Sequence, residues 1–361
     1  MTSKSSDEPD FARLACPAPF RGGDRIGLGH GGGGQLTREL VTGLFVPAFA
    51  NAALARLGDA AVLDLGAALA GGGRLAVTTD ASVVRPLFFP GGSIGDLAVN
   101  GTVNDLAMMG ARPLALAAAF IIEEGFPAAD LERVVAALAA AARRAGVEIV
   151  TGDTKVVERG HGDGCYVTTT GIGVVPPGLA LGPDTIRPGD AVLVSGTLAD
   201  HGMAIMAARE GLGFEADITS DTAPLHGLVA ALLAACPGTR MLRDPTRGGV
   251  ATSLVEIAEQ ARAGIELDEE AIPVAPAVAA ACEILGLDPL HVANEGKLLA
   301  VVPAEDVRAA LAALRAHDFG RRAAVLGRVV ERHPGTVVMR TAIGGSRVVP
   351  MPLGEQLPRI C

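Results

Sequence analysis

Tryptophan is absent from this 361-residue chain, tyrosine occurs once, and aromatic residues make up only 3% of it. A chain so built offers no aromatic platform for stacking single-stranded bases, and its core must be aliphatic. Basic residues are also in short supply: 30 Lys and Arg face 40 Asp and Glu, for a net charge of -10. Polyanions are repelled by that balance, which excludes nucleic acid and anionic membrane surface as partners. Cysteine is sparse and odd in number. Cys16, Cys165, Cys236, Cys282 and Cys361 are scattered without a C-x-x-C pair, so neither a disulfide framework nor a structural zinc site is expected. The first ten residues lack the apolar core of a secretory signal, and the longest Ala-rich run, 134–142, is too short and too charged at its flanks to span a bilayer. The expectation is a cytoplasmic protein with no membrane span.

What is present is a chain that is 49% hydrophobic and longer than one core comfortably fills, which predicts two domains. Residues 1–25 read as a variable extension, 26–176 as a first domain, 177–343 as a second, and 344–361 as a flexible tail rich in Gly and Pro. The turn Arg187-Pro188-Gly189-Asp190 marks the junction. Strands are predicted near 60–63, 75–78, 114–119, 147–150 and 167–172, with helices at 94–109 and 127–145. The second unit reads as strands 191–195, 298–302 and 337–339 with helices 201–209, 225–235 and 249–261.

Acidic residues gather at the ends of apolar elements, at Asp59, Asp80, Asp105 and Asp153. Converging carboxylates suit magnesium, which takes hard oxygen ligands and completes its shell with water and nucleotide phosphates. Singly, each aspartate is more commonly a helix cap or turn residue; Asn104 and Asp105 instead fall inside a helical pattern. Gly29-His30-Gly31-Gly32-Gly33-Gly34 before a short helix could lay N–H groups on a phosphate, but it lacks the Lys-Ser/Thr of a Walker loop, and a plain loop is the commoner outcome. Lys155 is a general base if a neighbouring cation or burial lowers its pKa, and otherwise a solvated strand-end lysine. Arg243-Asp244-Pro245-Thr246-Arg247-Gly248-Gly249 puts a polar turn ahead of a helix, suited to phosphate or to capping, and Asn294-Glu295-Gly296 puts a carboxylate in a turn ahead of an apolar strand. Asp200-His201-Gly202 reads as a cap without chemistry. The chain stops on Cys361, too late for a prenylation motif, and on its own this is a frayed end with a solvated thiol.

In order along the chain, His30-Gly31 to Gly34, Thr78-Thr79-Asp80, Phe89-Pro90-Gly91-Gly92, Gly101-Thr102-Val103-Asn104-Asp105, Ile122-Glu123-Glu124-Gly125-Phe126, Gly152-Asp153-Thr154-Lys155, Asp244-Pro245-Thr246-Arg247-Gly248-Gly249, Asn294-Glu295-Gly296 and Pro358-Arg359-Ile360-Cys361 resemble the HypE family. These are carbamoyl dehydratases of nickel-iron hydrogenase maturation, in the superfamily of aminoimidazole-ribotide synthetase, selenophosphate synthetase and thiamine-monophosphate kinase. The resemblance implies a two-domain α+β, aminoimidazole-ribotide-synthetase-like fold that dimerises through its first domains, with ATP and Mg2+ as cofactors. It implies a carbamoyltransferase partner (HypF) that loads the Cys361 thiol, ATP-driven dehydration of the resulting thiocarbamate to a thiocyanate, and a HypC-HypD scaffold that accepts the cyanide. By the same resemblance Asp59, Asp80, Asp105, Asp153 and Asp244 serve the metal, while Asp80, Asn104, Gly152, Asp153 and Thr154 serve the nucleotide. Glu295 and Lys155 are the implied proton acceptors, and Cys361 is carrier and reactive group. Ser93 and Asp96 depart from the acidic and basic residues common there in the family. About 16 residues separate Gly345 from Cys361, enough to reach at most roughly 55 Å, so the tail is expected to swing between cleft and partner, with Arg359 docking it. The rival readings are a selenophosphate-synthetase-like enzyme, for which Cys16-Pro17 has no neighbouring lysine, and a non-catalytic nucleotide-binding scaffold.

Overall fold

The computed structural model describes residues 25–32, 35–57, 61, 63, 65–69, 71–211, 218–352 and 360. The first domain opens with short helices α1 (Gln35–Leu40), α2 (Val46–Phe49) and α3 (Gly66–Leu69). Then come β1 (Arg74–Ser82), the small hairpin β2 (Phe88–Phe89) and β3 (Gly92–Ser93), and helix α4 (Ile94–Met108). Strand β4 (Arg112–Glu123), helix α5 (Ala128–Ala145), and strands β5 (Glu148–Val157) and β6 (Cys165–Val175) complete it. The long strands form a sheet in the order β1-β6-β4-β5, antiparallel except for the parallel β4–β5 pair.

Alternation along these strands decides which face is covered. On β6, Cys165, Val167 and Thr169 are buried against the helices while Tyr166, Thr168 and Thr170 stay half-exposed. Helix α4 is buried on nearly every side, between the sheet, α5 and the second domain. Helix α5 turns Leu131, Val134, Val135 and Leu138 inward and ends at Gly146, whose φ of +65° suits a left-handed cap. The other face of the sheet is open and carries Leu75, Val77 and Ile121, which are 50%, 62% and 40% exposed.

The second domain contains β7 (Ala191–Val194), α6 (Asp200–Glu210), α7 (His226–Ala235), β8 (Met241–Arg243), α8 (Gly249–Ala261) and β9 (Gly264–Asp268). It continues with α9 (Pro276–Leu285), β10 (Leu299–Val302), α10 (Val307–Ala316), β11 (Ala324–Val330), β12 (Val337–Arg340) and β13 (Ser346–Val348). Its sheet runs β13-β12-β9-β11-β7-β10-β8. All of β7 and β10 is buried, as unbroken aliphatic runs are when both faces are covered. Val192, Val194, Leu299 and Val301 pack with α8 on one side, and Leu193, Ala300 and Val302 with α7 and α10 on the other.

Two segments differ from the sequence expectation. Strand β5 runs on past 150 through Gly152-Asp153-Thr154 to Val157, so Asp153 and Lys155 lie within the strand rather than at its end. Glycine is needed at 152 because a Cβ would sit 2.1 Å from the Ala118 carbonyl oxygen on β4. The tail expected from 344 begins instead with β13, paired to β12, and Val349 is buried in the second core. The strand expected near 60–63 falls largely outside the described residues.

The domains are clasped by Asn104 of α4, which is 1% exposed. Its amide nitrogen donates to the carbonyls of Ala223 (3.0 Å) and Glu295 (3.2 Å), and its carbonyl oxygen accepts from Leu225 N–H at 2.7 Å. Asn104→Leu leaves three backbone groups of the second domain unpaired in a dry interface. It should lower stability by about 3 kcal/mol in denaturant unfolding; an unchanged midpoint would contradict the clasp.

Candidate active site

Three of the expected carboxylates come together at the domain boundary. Thr78 on β1 donates to Asp105 Oδ2 at 2.8 Å, and Asp80, two residues along the same strand face, accepts from Ala81 N–H at 2.8 Å. Gly101 on α4 makes room for Asp80, since a Cβ there would lie 2.7 Å from its Oδ2. Asp244 enters from the loop after β8. Burial raises the Asp105 pKa, helped by the charge of Asp80 and opposed by Thr78 and Arg243. Asp244 is pushed up to about 7 by burial and then by Asp105 and Asp80. Carboxylates that repel one another in a half-dry site are the donor set a hard divalent cation neutralises, and magnesium commonly takes one or two carboxylates plus phosphate oxygens. The residues therefore fit Mg2+ with a nucleotide. Among the described residues no group of three or more His, Cys, Asp or Glu is gathered closely enough to hold an ion by itself. Asp59 lies outside the described residues.

Asp153 is not part of this group. It stands on β5, three strands from β1, roughly 14 Å across the sheet. It points with Lys155 to the open face, and the two form an ion pair at 2.8 Å with both side chains about two-thirds exposed. Lys155 holds the Asp153 carboxyl below the usual range. Thr154, between them, is buried on the other face. Asn104 has its amide spent on the domain clasp rather than turned to a ligand.

Glu295, 5% exposed, sits in the loop before β10. Its N–H donates to Asp221 Oδ1 at 3.1 Å while Asp221 Oδ2 takes the Lys297 ammonium at 2.8 Å. Lys297 also reaches Asp200, 3.7 Å away, whose carboxyl accepts from Thr197 at 2.5 Å. Burial pushes the Asp221 pKa up, but the Lys297 ammonium bonded to it draws it down overall.

His201, fully buried at the start of α6, lies beside this network. Its Nδ1 is 2.8 Å from Ser220 Oγ, its Nε2 is 2.5 Å from the Ile360 carbonyl oxygen, and its ring meets Phe89 edge-on at 5.6 Å. Ile360 is 5% exposed and belongs to the core shared by the two domains. Sequence reading gave His201 no chemistry and Asp221 and Lys297 no mention, because their partners are brought together only by the fold. Cys361 and Arg359 lie outside the described residues.

Burial lowers the His201 pKa, with Lys297 adding to the effect and Asp221 and the Ile360 carbonyl opposing it. The unfolded chain takes up a proton near the ordinary value of 6.5 that folded His201 refuses. Stability is therefore complete above that pH and falls as the pH drops through it. Wild type is expected to lose stability between pH 7.5 and 5.5 more steeply than His201→Gln, by at most about 1.4 kcal/mol per pH unit. Parallel pH profiles of the two melting temperatures would contradict this.

Residues 57–175 match the AIR synthase related protein N-terminal domain, and residues 187–340 its C-terminal domain. The carbamoyl dehydratase HypE of Cupriavidus necator is 58% identical over 337 residues, 93% of this chain and 95% of that protein. The Escherichia coli HypE is 48% identical over 94% of this chain and 100% of its own length. The chain belongs to the HypE family. A crystal structure of the maturation protein HypE with ATP superposes with a TM-score of 0.89 at 49% identity, covering 93% of this chain and 100% of that one. HypE in its complex with HypF gives 0.75 at 47% identity, covering 88% and 100%. These findings bear out the two-domain α+β fold, and HypE proteins are carbamoyl dehydratases of hydrogenase maturation.

Proposed function

We propose that this chain carries out ATP-dependent dehydration of a carbamoyl group held as a thiocarbamate on Cys361, giving a thiocyanate that supplies cyanide ligands to a hydrogenase iron. The observation that carries this reading is the burial of Ile360 at the domain junction, on His201 and beside the segment that bears Glu295. Ile360 is the residue before Cys361, and its position supports a thiol that can reach the segment bearing Glu295. Its supports are the HypE relatives and the ATP-bound HypE structure.

The chemistry asks for three things of the residues. Oxygen is a poor leaving group from a thiocarbamate, so ATP phosphorylates the carbonyl oxygen and phosphate departs in its place. Asp80, Asp105 and Asp244 would hold Mg2+, which supplies charge neutralisation for the nucleotide phosphates. The two N–H protons must leave as the C≡N bond forms: Glu295 accepts one and the departing phosphate carries the other, while Lys155, an ammonium paired with Asp153, can act as an acceptor only after giving up its own proton. Lys155 stands with Asp153 on the open sheet face, so its part is more distant than that of Glu295 within one chain.

That open face, with exposed Leu75, Val77 and Ile121 and with β1 and β5 as sheet edges, supports a homodimer formed through the first domains. The partners are then a HypF-type carbamoyltransferase and a HypC-HypD-type acceptor, in the cytoplasm. With a carbamoyltransferase and labelled carbamoyl phosphate, wild type should take up one label per chain and Cys361→Ser none. Equal labelling of both would overturn the carrier assignment.

A further inference from the structure

We infer that His201 is a positioning residue that seats the chain end for dehydration, with its Nε2–H donating to the carbonyl of Ile360. A carbonyl only accepts, so at 2.5 Å the hydrogen must be on Nε2. In a neutral ring Nδ1 is then the acceptor, and Ser220 Oγ–H donates to it across 2.8 Å. Ser220 Oγ in turn accepts from Thr222 N–H at 3.2 Å, which leaves its own hydrogen for the ring. The tautomer is thus fixed by a chain of donors that starts in the backbone. Full burial keeps the ring neutral and dry, where one such bond holds best.

The seat is built from both domains. Phe89 of the first domain packs edge-on to the imidazole, and Ser220 N–H donates to the Pro90 carbonyl at 2.8 Å. A Cβ on Gly91 would lie 2.7 Å from the Ser220 carbonyl oxygen, so this approach of the two loops depends on glycine, whose φ is +92°. Asp221, next in sequence to Ser220, accepts from the Glu295 N–H, so the segment that partners the ring also holds Glu295. The bond to Ile360 therefore restrains the peptide that joins Cys361, and ties it to the segment bearing the proton acceptor. Partner loading needs the thiol outside this seat and dehydration needs it within, so His201 acts on the second step. The inference rests on Cys361 being the carrier, and its first readout below stands independently of that.

The experiment measures iodoacetamide labelling of Cys361 in the full chain by peptide mass spectrometry, with buried Cys165, Cys236 and Cys282 as internal controls for folding. His201→Asn is too short to reach Ile360, while His201→Gln places an amide donor near Nε2. Labelling of Cys361 should rise about tenfold in the Asn variant, as expected for one buried hydrogen bond, and return to within about twofold of wild type in the Gln variant. Loading by the carbamoyltransferase should be no slower in His201→Asn than in wild type, and dehydration slowed about tenfold. Equal Cys361 labelling in wild type and His201→Asn overturns the inference, as does a Gln variant no better than Asn. If His201→Asn exposes the control cysteines, Ser220→Ala decides: a selective rise at Cys361 supports the seat, and an unchanged rate overturns it.

Discussion

Glu295→Gln is expected to slow dehydration by about 10²- to 10⁴-fold while carbamoyl uptake by Cys361 continues at the wild-type rate. The two steps separate because loading requires only an accessible thiol, whereas formation of the C≡N bond requires removal of the nitrogen-bound protons. The substitution is nearly isosteric, and the main chain of Glu295 is pinned from both sides: its N–H donates to Asp221 and its carbonyl accepts from Asn104. A change in rate would then report lost basicity rather than a moved loop. Stopping single turnovers and following the thiocarbamate by mass tests this. Dehydration within a few fold of wild type would remove Glu295 from the mechanism.

Asp105→Asn is expected to weaken ATP binding in the presence of magnesium by more than about tenfold and, in the absence of nucleotide, to raise the melting temperature. Both follow from one fact. Asp105 and Asp244 sit with raised pKa values because burial and mutual repulsion disfavour their charges. Removing one charge relieves the ligand-free protein, and the Asn oxygen can still accept from Thr78. The same removal takes away one of the three carboxylates proposed to hold the cation. Chelating magnesium from wild type should reproduce the loss of ATP affinity without the gain in melting temperature. A variant that is destabilised, or that binds ATP as wild type does, would show that these carboxylates are paired for some other purpose.

The sequence shows the elements of the site more clearly than their grouping. Helix α4 was legible because Asp105 and Asn104 fall within one unbroken helical pattern, and the Asn294-Glu295-Gly296 turn lies where it was expected, before β10. The pattern Val307, Ala310, Leu311 and Leu314 also carried the signal for α10, unused, while β8 and β9 are three and five residues long and too short to stand out. Grouping is a property of topology. The order β1-β6-β4-β5 and the opposite faces of the two strands separate Asp153 from Asp80, and the meeting of the domains carries Asp244 to Asp105. His201 was unreadable for the same reason: its partners are 19 and 159 residues away. The Gly- and Pro-rich end read as a loose tail, but its first part is an edge strand and Ile360 is core.

The most direct measurement is the intact mass of the full chain, preloaded by its carbamoyltransferase and then given ATP and magnesium in a single turnover. The mass should first rise by one carbamoyl group on Cys361 and then fall by one water, only when ATP is added. A carbamoylated chain whose mass ATP leaves unchanged, or that loses the whole carbamoyl group instead of water, would contradict dehydration at the chain end.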